Sequence, residues 1–81
     1  MQKLDGLSTR QNQVARLIRE GKRNRQIARH LGISPATVTA YIHQIYVLRG
    51  LVRSAHPRMS LALWVQEQDH ATAAVADNQA A

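Results

Sequence analysis

Three side chains with hydrogen-bonding ends, Thr39, His43 and Gln44, fall close together, and four cations, Lys22, Arg23, Arg25 and Arg29, lie just upstream of them. Guanidinium and ammonium groups neutralise phosphates and other anions, and guanidinium does so with two parallel hydrogen bonds. Hydroxyl, imidazole and amide groups match donors and acceptors on a partner. Other chemistry has little to work with. There is no Cys, so no disulfide framework and no thiolate metal site. His30, His43, His56 and His70 stand thirteen or fourteen residues apart, without the paired spacing of zinc ligands, and no metal is expected. The five carboxylates form no pair suited to acid–base work, and no glycine-rich phosphate loop is present. Ser34 is explained fully as a helix cap. Neither an enzyme nor a cofactor is expected.

Charge narrows the partner. The formal net charge is +6 over 81 residues, but it is unevenly spread. Residues 1–58 carry all eleven Lys and Arg against Asp5 and Glu20, and the other carboxylates, Glu67, Asp69 and Asp77, follow. A basic body with an acidic end suits a polyanion. The bland alternative is a basic surface that only keeps the protein soluble. Charge nominates nucleic acid without deciding the case. No apolar stretch approaches the roughly 20 residues that span a bilayer. "MQKLDGLSTRQ" lacks the apolar run of a signal peptide. A soluble cytoplasmic protein is expected.

The elements that must position these groups are helical. In "LSTRQNQVARLIREG" Ser8 is a good N-cap, Gln11 completes a capping box, and Val14, Leu17 and Ile18 recur at helical spacing before the stop at Gly21. After "KRNR", Asn24 can cap a second helix whose buried stripe is Ile27, Ala28 and Leu31, ended by Gly32. Ser34 and Pro35 open a third helix at once, so the two axes turn sharply in the compact corner of a helix-turn-helix. Small Ala28 allows close approach, Gly32 supplies a left-handed turn, and Val38 packs the third helix back on the second. The bland alternative is an ordinary helical hairpin in a small bundle. Val38, Ile42, Ile45 and Leu48 form the third helix's core stripe. Ala36, Ala40, His43 and Val47 fall opposite, flanked by Thr39 and Gln44. A fourth helix starts near Pro57 and carries Leu61, Trp64 and Val65. No strand pattern appears, so the class is all-α. One domain is expected over 1–68, with helices at about 9–20, 25–31, 35–49 and 57–68. An acidic, Ala-rich tail over 69–81 would fray or extend the fourth helix.

Residues 7–46, "LSTRQNQVARLIREGKRNRQIARHLGISPATVTAYIHQIY", resemble the LuxR-type (GerE) DNA-binding domain, and "RMSLALW" (58–64) resembles the start of that family's fourth helix. Gln11 stands where the family usually has Glu, and "VLRG" where it tends to read Lys-Leu-Gly. The resemblance implies a four-helix domain, a three-helix core plus a C-terminal helix. Its third helix would enter the major groove of double-stranded DNA, and its second would lie across the phosphate backbone. It carries base reading onto Thr39, Ala40 and His43, which are also outward on the helical wheel, and Gln44 is next in reach. Phosphate contacts carry onto Arg25, Thr37 and Tyr41. Lys22, Arg23 and Arg29 are added from charge and location only.

The chemistry of that face is modest. It holds no Arg, the commonest reader of guanine. His43 can donate to guanine N7 or O6, Gln44 can pair with adenine, and Thr39 and Ala40 can meet the thymine methyl. Each has a plain alternative: His43 as a solvated surface residue, Tyr41 as a core aromatic. Affinity is then expected to rest on phosphate contacts, which position without specifying. A two-fold dimer on a palindromic operator would supply the missing discrimination. By resemblance the dimer forms through the fourth helix, at Leu61, Trp64 and Val65; the alternative for Trp64 is that it closes the core. Only about six residues precede the first helix, so no sensor domain is expected before it. The competing reading is a protein-docking module that binds another regulator or RNA polymerase, favoured by the apolar outward residues Ala36, Ala40 and Val47.

Overall fold

A computed structural model describes residues 4–80, with side chains given through residue 70. The described residues form four helices and no strand: α1 (Thr9–Arg19), α2 (Asn24–Leu31), α3 (Pro35–Arg49) and α4 (Pro57–Ala80).

Local signals set most boundaries. Ser8 is extended, its Oγ accepts the Gln11 N–H at 3.2 Å, and Gln11 Oε1 accepts the Ser8 N–H at 2.9 Å. The capping box is therefore closed in both directions. At the corner Gly32 sits at φ +69°, and the Ile33 N–H reaches back to the Ala28 carbonyl at 3.0 Å. Ser34 Oγ then accepts the Thr37 N–H at 3.1 Å, and Pro35 takes the first position of α3. The second cap differs from expectation. Arg23, not Asn24, stands at the N-cap, and its N–H donates to Gln26 Oε1 at 2.8 Å. Asn24 is already helical, which leaves its side chain for another task.

The core collects one stripe from each helix. Val14 and Ile18 of α1, Ile27 and Ala28 of α2, and Val38, Ile42 and Ile45 of α3 are all buried. Leu4 and Leu7 join them. The Leu4 N–H donates to Asn12 Oδ1 at 3.0 Å, which folds the segment before α1 onto the bundle. Leu48, expected in the stripe of α3, is instead 55% exposed. The left-handed turn at Gly50 explains the exchange: it brings Leu51 back over the end of α3, with the Leu51 N–H on the Tyr46 carbonyl at 2.8 Å. Leu51 packs on the core in place of Leu48.

α4 corrects one expectation. Leu61 and Val65, assigned to a dimer contact, are fully buried in the domain's own core, because α4 lies along α1 and turns that stripe inward. Trp64 is half-buried beside them, with the Arg49 guanidinium stacked 4.0 Å above its ring centre. Residue 69 is tied to α1. Arg16 Nη1 donates to both carboxylate oxygens of Asp69 at 2.9 Å, and Arg19 Nε lies 3.9 Å away. Asp69 therefore belongs to the folded unit. Of the two outcomes expected for residues 69–81, fraying or extension of the fourth helix, α4 takes the second and runs to Ala80, since neither Gly nor Pro follows Pro57 and Ala is abundant there. Asp77 and the rest of the acidic tail lie outside the described side chains.

Candidate nucleic-acid interface

Thr39, Ala40, His43 and Gln44 all stand exposed on α3. They do so because Val38, Ile42 and Ile45 commit the opposite side of the helix to the core. Val47, one turn beyond His43, continues the face and is 56% exposed. Lys22 and Arg23 are exposed in the loop before α2, and Arg25 and Arg29 are exposed on α2 itself. Neither α2 nor α3 has a carboxylate in its first turn, so the positive ends of both helices stay uncompensated. Helix N-termini that lack acidic residues and stand beside cations suit phosphate. Thr37 is exposed at the start of α3, with its hydroxyl 2.8 Å from that of Ser34. Tyr41 is divided: part of its ring packs on the core and part remains accessible. A residue of that kind can hold α3 in place and still present its hydroxyl at the surface.

Three side chains outside this set shape it. Arg58, at the start of α4, donates to Asn24 Oδ1 and to the Lys22 carbonyl, each at 2.8 Å. Asn24 in turn offers its amide to Thr39 Oγ1 at 3.5 Å, while the Thr39 hydroxyl donates to the Pro35 carbonyl at 3.1 Å. The basic loop, the start of α2 and the first turn of α3 are thus tied to α4. Arg58 was visible in the sequence only as one more cation, and nothing local marked its reach across 36 residues. The third is Gln11, which beyond its cap donates through Nε2 to Gln44 Oε1 at 3.2 Å. Its capping role gave no sign of that second bond.

Tyr46 packs on the core behind this face: burial raises its phenol above the usual value of 10.0, and the Arg58 cation partly opposes that. Among the described residues no cluster of three or more His, Cys, Asp or Glu could hold a metal, and no helix is long and apolar enough to cross a membrane. The arrangement is a helix face with four polar or small exposed side chains, flanked by cations and by helix starts without carboxylates. It can bind a polyanion and test the edges of a groove.

Residues 5–47 match the family described as bacterial regulatory proteins, luxR family (GerE). No curated protein and no solved structure matches the chain.

Proposed function

Because the chain belongs to the luxR family of bacterial regulatory proteins, whose helix-turn-helix binds DNA to regulate transcription, we propose that it reads a specific double-stranded operator with α3 in the major groove. α2 then crosses the phosphate backbone, and Lys22, Arg23, Arg25, Arg29, Thr37 and Tyr41 anchor it. Thr39, Ala40, His43 and Gln44 meet the base edges. The observation that carries this reading is the exposure of all four of these side chains on one helix, beside the exposed cations of α2.

A face without Arg gives limited discrimination, so the working unit is a homodimer on a palindromic site in the bacterial cytoplasm. With Leu61 and Val65 inside the core, the contact falls to the outward side of α4, where Met59 is 63% and Leu63 52% exposed. They stand one turn apart, and the accessible part of Trp64 lies next to Leu63 in the chain.

Selection of bound duplexes from a random pool tests both parts. Enrichment of a palindrome, lost on Thr39→Ala with His43→Ala, supports the reading. Arg25→Ala should weaken every duplex alike and flatten the salt dependence by about one counterion. The second reading, docking on another regulator or RNA polymerase, is favoured by exposed Ala36, Ala40 and Val47. Salt separates the two. Binding through several phosphates should fall by about 10³-fold or more between low and moderate salt. An alanine–valine surface should respond far less.

A further inference from the structure

Gln44 has an amide whose two ends differ in chemistry, and the surrounding bonds decide which end faces outward. The Ser8 N–H is a donor and nothing else, so the Gln11 atom 2.9 Å from it must be the acceptor Oε1. The other end of Gln11 is then Nε2, a donor only, and it lies 3.2 Å from Gln44. The Gln44 atom it meets must accept, so that atom is Oε1. What remains is the Gln44 amino group, which has no acceptor among the described residues.

We infer that Gln11 is a specificity-determining residue: it turns the Gln44 carbonyl inward and leaves Gln44 to present donors to DNA. This rests on the reading of α3 as the base-contacting helix. The consequence follows from the major-groove pattern. Guanine offers N7 and O6 as acceptors, thymine offers O4, and cytosine offers only an amino donor. A Gln44 that presents its amino group accepts guanine or thymine and meets cytosine donor to donor. The two-point adenine contact expected from the sequence needs the Gln44 carbonyl as well, and that group is engaged by Gln11.

Gln11→Glu tests this without endangering the fold. A carboxylate still accepts the Ser8 N–H, so the capping box survives, and a negative charge in the first turn of α1 favours the helix. Its second oxygen can only accept, so Gln44 must turn over to donate inward and present its carbonyl. Relative affinity for guanine over cytosine at the position facing Gln44 should then reverse, by about fivefold in each direction for one neutral hydrogen bond. The added charge weakens all duplexes alike and cancels in that ratio. Gln44→Ala should erase the preference in either background.

The measurement is competitive titration of wild type, Gln11→Glu, Gln44→Ala and the double variant against duplexes differing at that position. A guanine preference abolished by Gln44→Ala but unchanged by Gln11→Glu overturns the role of Gln11 alone. A preference untouched by Gln44→Ala removes Gln44 as a reader and the inference with it. No base preference at any position overturns the reading of α3 itself. A second measurement needs no DNA: side-chain amide hydrogen exchange by NMR in the free protein. The Gln11 amide should exchange more slowly than that of Gln13, and should lose that protection in Gln44→Ala. In Gln11→Glu the protection should move to the Gln44 amide. Equal exchange of Gln11 and Gln13 in the wild type overturns the proposed orientation.

Discussion

Removing the Asp69 carboxylate should show where the domain ends. Composition places residues 69–81 in a tail, whereas the geometry pins α4 to α1 through Arg16 at that residue. Nη1 of Arg16 holds both oxygens at 2.9 Å, and the two side chains are 10% and 38% exposed respectively. The pair lies between two limits. An exposed ion pair contributes about 0–1 kcal/mol. Breaking a fully buried one costs about 3–5 kcal/mol, largely because a charge is stranded. Water reaches Asp69 but hardly reaches Arg16, so Asp69→Ala should destabilise by about 1–2 kcal/mol. In a domain of this size each kcal/mol moves Tm by about 4–8 °C, and the loss should be plain in a thermal melt followed by circular dichroism. Arg16→Met alone strands no buried cation and should cost less. The double variant should recover most of the Asp69→Ala loss, giving a coupling near 1 kcal/mol. In about 1 M salt that coupling should shrink without vanishing, because only one partner is open to screening. A Tm within about 2 °C of wild type for Asp69→Ala, with additive effects in the cycle, would refute the assignment of Asp69 to the folded unit.

Three other outcomes follow from single features. Leu61→Ala should cost about 3 kcal/mol in urea unfolding by opening the core, whereas Met59→Ser with Leu63→Ser should leave monomer stability within about 0.5 kcal/mol and raise the dimer dissociation constant at least about tenfold in sedimentation. Unchanged association would remove the outward side of α4 as the contact. Gly32→Ala meets no atom within 4 Å of the added Cβ, so its cost is purely backbone, about 1 kcal/mol for a side chain at φ +69°. Tyr46 gives a pH signature. Its folded value is raised by burial above 10.0, so the unfolded chain ionises first; stability should hold below about pH 10 and fall as pH rises through the folded value, and Tyr46→Phe should flatten that fall.

What the sequence made legible was governed by short-range bonds. The capping box at Ser8 and Gln11, the left-handed Gly32 and the Ser34–Pro35 start of α3 each close within a few residues, so residue type alone implies them. The exposed positions on α3 followed from the same periodicity that buries Val38, Ile42 and Ile45. Long-range packing decided the rest. Leu61 and Val65 are apolar at helical spacing whether they face a partner or their own core, and only the placement of α4 along α1 distinguishes the two. Leu48 and Leu51 are equally apolar, and the turn at Gly50 selects between them. Asn24 looked like a cap because its type suits one, yet Arg58, from 34 residues away, engages its carbonyl oxygen.

The same division applies within the candidate site and bears on how its base preference should be deduced. Helical periodicity locates Gln44 on the outward face but is silent on whether it offers a donor or an acceptor there. That choice is made by Gln11 from α1, 33 residues earlier, and ultimately by the Ser8 backbone N–H. Thr39 is similarly conditioned, since its hydroxyl hydrogen goes to the Pro35 carbonyl and an Asn24 amide approaches its oxygen. Two of the three polar side chains proposed to read bases from α3 therefore present chemistry set by other elements. Two chains with identical recognition helices but different residues at positions 11 and 24 should prefer different bases, so a base code written from α3 alone should fail for this fold.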